Sequence, residues 1–107
     1  MTRALEAAKD AAERGEVPVG AVIVHGPTDQ VISVSSNRVL EQKDPTAHAE
    51  MLAIRDACAK QDSERLPECD LYVTLEPCPM CAQAISFARI RRLYFAASDE
   101  KGGGVEN

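Results

Sequence analysis

Three features of this sequence predict an α/β domain built on a mixed sheet with helices on its faces. The hydrophobic periodicity runs helix, strand, strand, helix, strand, helix, strand. The first two strands flank the short turn Gly26-Pro27-Thr28-Asp29, which makes them an antiparallel hairpin; the later strands alternate with helices, the pattern of right-handed crossovers. The centre of the first strand, Ala21-Val22-Ile23-Val24, is apolar on both faces, as expected of a strand covered from both sides.

Each element has its own local reasons. Thr2 is placed to cap a first helix running to about Arg14. Leu5, Ala8 and Ala12 form its apolar stripe and Gly15 ends it. A strand from Val19 to His25 follows, then a second from Gln30 to Ser36 with Val31, Ile32 and Val34 apolar. Glu41 to Pro45 reads as polar loop. Thr46 is a plausible N-cap for a helix from Ala47 to Lys60, with Met51, Leu52, Ile54, Ala57 and Cys58 on its buried face. Pro67 lies in a polar loop. Leu71 to Leu75 is a third strand, broken by Glu76-Pro77-Cys78-Pro79. Pro79 suits the first turn of a helix to about Ala88, and Arg92 to Ala97 is a fourth strand.

A chain of 107 residues predicts one domain, 1–107, with a modest core. No apolar run approaches the roughly 20 residues of a membrane span. Arg3, Glu6, Lys9, Asp10, Glu13 and Arg14 interrupt the N-terminal stretch, so no secretory signal is read. The net charge of -5 argues against a general nucleic-acid coat protein, though a local basic cluster, Arg89, Arg91 and Arg92, favours an RNA partner. Cys58, Cys69, Cys78 and Cys81 are expected to serve metal or redox chemistry rather than disulfides.

Two segments carry chemistry. One is Pro45-Thr46-Ala47-His48-Ala49-Glu50 at a helix start; the other is Glu76-Pro77-Cys78-Pro79-Met80-Cys81 at a strand-to-helix junction. Thiolates two residues apart can grip one ion from a single turn, and a helix N-terminus favours the thiolate. His48 supplies a third ligand. Three protein ligands leave one zinc position open, the catalytic rather than the structural arrangement. Glu50, two residues after His48, is then a proton shuttle beside the metal rather than a ligand. Three blander readings compete. Cys78 and Cys81 alone would suit a thioredoxin-like redox pair. Cys58, Cys69 or His25 would have to complete a structural zinc site, but Cys58 reads as core filler, Cys69 as incidental and His25 as solvated. A lone histidine at a helix start is most often a surface residue. The joint occurrence of both segments outweighs these.

His-x-Glu followed by Pro-Cys-x-x-Cys resembles the signature of the zinc nucleobase deaminases. The similarity extends to Glu16-Val17-Pro18-Val19-Gly20-Ala21-Val22, to Asp44 through Glu50, to Leu71 through Ala82, to Ala88-Arg89-Ile90-Arg91-Arg92, and to Lys101-Gly102-Gly103-Gly104. In these the chain resembles bacterial tRNA adenosine deaminases. The resemblance implies a cytidine deaminase-like three-layer α/β/α fold and adenosine-to-inosine conversion at the anticodon wobble position of tRNA by a cytoplasmic homodimer. It implies one zinc per chain on His48, Cys78 and Cys81, with Glu50 as proton shuttle. Asn37 would hydrogen-bond the flipped base, Val17 would pack near it, and the backbone amide of Ala49 would help position it. The family's final strand and helix have no counterpart in these 107 residues, and the fourth strand is therefore expected to present an open apolar edge. A free-base or nucleoside deaminase acting on guanine or cytosine compounds shares the metal motif and is the neighbouring alternative.

Overall fold

The computed structural model describes residues 1–97 and 103–105. Its elements are α1 (Thr2–Glu13), β1 (Gly20–His25), β2 (Gln30–Ser36), α2 (Val39–Gln42), α3 (Ala49–Gln61), β3 (Cys69–Val73), α4 (Pro79–Phe87) and β4 (Arg92–Phe95). One four-stranded sheet has the order β2-β1-β3-β4. β1 pairs antiparallel with β2 and β3, and β3 pairs parallel with β4, so the sheet is mixed as expected.

Alternation along β1 separates two cores. Ala21 and Ile23 point with Ile32, Leu71 and Val73 towards Ala49, Ala53, Ile54 and Ala57 of α3 and Ile85 of α4. Gly20 points the other way, against α1, and Val22 shares its face. The layers are thus α1, the sheet, and α3 with α4. Tyr72 pairs with Val22 across the sheet, and its ring stacks on that of Tyr94 with centroids 4.8 Å apart. Among the described residues β4 joins the sheet through β3 alone, with Leu93 and Phe95 packed on the α3 side.

The helix faces depart from expectation. In α1 the buried residues are Ala4, Ala7, Ala8 and Ala11, while Leu5 is 52% exposed. The cause is close approach: a Cβ on Gly20 would lie 2.7 Å from the Ala8 nitrogen and 2.9 Å from the Ala7 Cβ. Only small side chains fit between backbones at that range. Thr2 falls inside the helix and provides no side-chain cap. α3 starts at Ala49 with His48 as N-cap; Thr46 instead binds Asp44, through both its backbone N–H and its hydroxyl. Met51, Leu52 and Cys58 are only half-buried because Ala49, Glu50 and Ala53 take the inner face. β3 begins at Cys69, which is buried in the core rather than incidental. His25 is not simply solvated: its ring is 2.9 Å from both the Thr28 hydroxyl and a Glu68 carboxylate oxygen. Of the four glycine-loop residues, Lys101 and Gly102 lie outside the described residues.

Candidate active site

β2 and β3 both end where β1 begins, and α3 and α4 both start there. His48 and Cys78 are the N-caps of these two helices, both in extended backbone conformation. Pro79 at the first position of α4 has no N–H to satisfy and fixes the turn that aims Cys78 and Cys81 inward. The result brings the three sequence-predicted ligands together. His48 Nδ1 lies 3.6 Å from Cys78 Sγ and 3.5 Å from Cys81 Sγ, and the three donor atoms all lie within 4.8 Å of one another.

These distances test the fit of zinc. Bonds of about 2.3 Å to sulfur and 2.0–2.1 Å to nitrogen, at a tetrahedral angle, put sulfur and nitrogen about 3.6 Å apart. The donor spacing therefore suits a tetrahedral ion. Electrostatics make the same point. Burial, then the charges of Glu50 and Cys78, push the Cys81 thiol far above its usual range. Three acidic groups converge there, and a cation is what permits them to ionise together. Among the described residues this is the one His/Cys/Asp/Glu cluster whose donor atoms converge so closely, and Cys58, Cys69 and His25 have no part in it. Burial also raises the Cys58 and Cys69 thiols.

Above the donors opens a cavity of about 380 Å³, within the usual range for small-molecule sites. Val17, Val19, Val39, Leu40 and Leu75 form apolar walls; Asn37, His48, Glu50 and Cys78 supply polar groups. Glu50 is 4% exposed, and its pKa is raised by burial, with its own backbone amide, His48 and Cys81 acting in the opposite direction. Val17 stands 62% exposed at the rim. Asn37 is buried, and its Oδ1 accepts the Ala49 N–H at 2.8 Å. Two residues expected to meet the base are thus bonded to each other. The Asn37 carbonyl is occupied, which leaves its Nδ2 donors as the group available to the cavity.

Sequence reasoning missed the α2 wall, and it named Glu16 and Glu76 only as members of longer segments, with no role of their own. Glu76 is 2% exposed, and its Oε2 accepts the Val105 N–H at 2.9 Å. The Gly104 N–H donates to the Pro77 carbonyl, so residues 103–105 lie against the junction that carries Cys78. The arginine cluster goes elsewhere. Arg92 pairs with Asp70 at the start of β3, and Arg91 binds the Asp70 carboxylate through Nε and Nη2 at 3.0 and 2.8 Å. That is the end of the strands remote from the cavity; Arg14 and Arg38 flank the cavity instead.

The sequence profile of the cytidine and deoxycytidylate deaminase zinc-binding region matches residues 1–97. The chain belongs to this family. A tRNA-specific adenosine deaminase from Agrobacterium fabrum is 60% identical over all 107 residues, which span 69% of its length. One from Aquifex aeolicus is 55% identical over 102 residues, covering 95% of this chain and 66% of that protein. A solved structure from work on A-to-I editing by tRNA:A34 deaminases superposes with a TM-score of 0.96 at 60% identity, covering 100% of this chain and 76% of the other. Guanine deaminase from Bacillus subtilis superposes with a TM-score of 0.86 at 42% identity, covering 91% and 61%. The deaminase fold, with its mixed sheet between helical layers, is therefore that of this chain. No helix among the described residues is long and apolar enough to cross a membrane.

Proposed function

We propose that this chain catalyses the zinc-dependent hydrolytic deamination of adenosine to inosine at the wobble position of tRNA. The observation that carries the reading is Glu50: a buried carboxyl on the wall of a base-sized cavity, beside three donors spaced for zinc. Whole-chain identity of 60% to a tRNA-specific adenosine deaminase supports the choice of substrate.

His48, Cys78 and Cys81 hold one zinc per chain in this reading, and the ion, when bound, supplies a Lewis acid that makes water a nucleophile at neutral pH. Glu50 moves the protons. Its carboxylate takes one proton from the attacking water and passes it to the ring nitrogen beside the amine-bearing carbon. It then carries the second water proton to the departing amine. One water is consumed, one ammonia leaves, and a carbonyl replaces the amine. Asn37 Nδ2 donates to an acceptor on the purine edge, and Val17 packs against the base. The Ala49 amide acts through Asn37, whose carbonyl it holds. A homodimer in the cytoplasm is the setting this reading carries, and light scattering of the purified protein tests the dimer.

The test is incubation with an anticodon stem-loop bearing a wobble adenosine, with inosine as the readout. Similarity to guanine deaminase, at 42% identity, favours one alternative, deamination of free guanine. Ammonia release from guanine with no inosine in the stem-loop establishes that alternative in its place.

A further inference from the structure

Glu16 is a carboxylate with no place in the proton chemistry, yet it is 6% exposed and lies on the cavity wall. Its position follows from the end of α1. Gly15, at φ +82°, turns the chain out of the helix, and the Glu16 N–H closes back on the Ala11 carbonyl at 2.9 Å. The side chain then reaches across to α2. Glu16 Oε1 accepts the Leu40 N–H at 3.1 Å and Oε2 accepts the Glu41 N–H at 2.9 Å.

α2 is a single turn of four residues with no side-chain cap of its own. A helix this short is not stable alone, since the first turn fixes several dihedrals for one hydrogen bond. Glu16 satisfies two of its unpaired N–H groups from 24 and 25 residues away. Arg14 and Arg38 close the frame. Arg14 donates to the Ser36 hydroxyl at 2.8 Å and to the Asn37 carbonyl at 3.1 Å, and Arg38 binds Glu41 at 2.9 Å. What this frame holds up is substrate-facing. Val39 and Leu40 line the same cavity as His48 and Cys78, and Leu40 is 67% exposed, with little packing of its own to fix it.

We propose that Glu16 is a positioning residue that builds the α2 wall of the cavity, setting how tightly the nucleoside is gripped without entering the chemistry. The proposal rests on the deaminase reading above. A wall contacts ground state and transition state alike, so its loss raises KM and spares kcat.

The test is Glu16→Gln in the full chain, with zinc content, backbone amide exchange and stem-loop kinetics measured on the same preparation. Glutamine keeps one carbonyl acceptor and turns an NH2 towards the other amide. Exchange at Leu40 and Glu41 is expected to quicken about tenfold or more, the scale of one lost charge-assisted hydrogen bond. KM should rise roughly tenfold with kcat within about threefold. Zinc content should stay at one per chain, and exchange in α3 should not change. Glu16→Ala should show the same split more strongly. Unchanged exchange at residues 40 and 41 overturns the anchoring. Faster exchange with unaltered KM overturns the role of the wall, and a fall in kcat at constant KM would assign Glu16 to the chemistry. The exchange measurement needs no turnover. A wild-type chain that makes no inosine overturns the functional reading, and the wall's role in binding goes with it, whatever the amides show.

Discussion

Replacing Asn37 separates two roles that one side chain carries. Its backbone is held independently, by its own N–H to the Val19 carbonyl and by Arg14 on its carbonyl, so a substitution acts through the side chain alone. In Asn37→Ala the Ala49 N–H, buried at the start of α3, loses the acceptor it has at 2.8 Å. An unsatisfied buried amide costs about 1–3 kcal/mol. In a domain of this size that lowers Tm by roughly 5–15 °C. Asn37→Asp keeps the acceptor, and the helix N-terminus favours the carboxylate, so its Tm should fall by much less than that of the alanine variant. It lacks the Nδ2 donors, however, and a lost neutral hydrogen bond to the base should cost about tenfold in kcat/KM. The paired assay is thermal unfolding followed by inosine formation, with zinc measured in both variants. Full turnover by the aspartate variant would refute the donor role. An unshifted Tm in the alanine variant would refute the structural one.

Other outcomes follow from neighbouring features. Glu50→Gln should retain one zinc by metal analysis and lose about 10²–10⁴-fold or more in turnover; zinc loss would make Glu50 a ligand instead. Cys81→Ser should abolish stoichiometric zinc and lower Tm, whereas Cys58→Ser should leave metal content unchanged. Gly20→Ala forces a methyl against the α1 backbone and should destabilise by about 1–3 kcal/mol in a denaturant titration. Hydrogen bonding to Arg91 holds the Asp70 carboxyl below its usual range. A depressed carboxyl stabilises the fold above its unfolded pKa, and that contribution is lost as pH falls through the folded value. The Tm gap between wild type and Asp70→Asn should accordingly be open at pH 7 and close on acidification below about pH 4.

The chemistry was more legible than the packing. The convergence of His48, Cys78 and Cys81 was readable from two short segments, because side chains that can share one ion must keep their residue types and local spacing whatever surrounds them. The bounds of β2 were equally local: a turn at one end and Asn37 at the other. The face of α1 was not, since it is decided by Gly20 on another element, whose missing Cβ admits Ala4, Ala7 and Ala8 and leaves the larger Leu5 outside. α2 escaped for a similar reason. Its propensity is weak, and the group that holds it, Glu16, lies more than 20 residues upstream. The arginines at 89, 91 and 92 formed a cluster in sequence, but Arg91 is bound to Asp70 at the far end of β3. Sequence proximity carries charge composition; only the strand direction says at which end of the sheet that charge sits.

The stacked rings of Tyr72 and Tyr94 also decide how this protein can be watched. The chain has two tyrosines and no tryptophan. Both strong near-ultraviolet chromophores therefore occupy one spot, on the parallel pair of β3 and the edge strand β4. Tyrosine circular dichroism then reports whether β4 is docked, while the far-ultraviolet helical signal comes mainly from α1, α3 and α4. Coincident melts by the two signals indicate a single cooperative unit. A tyrosine signal that fades first means that β4 detaches while the metal-bearing helices remain folded, and the optical spectrum alone would register that event.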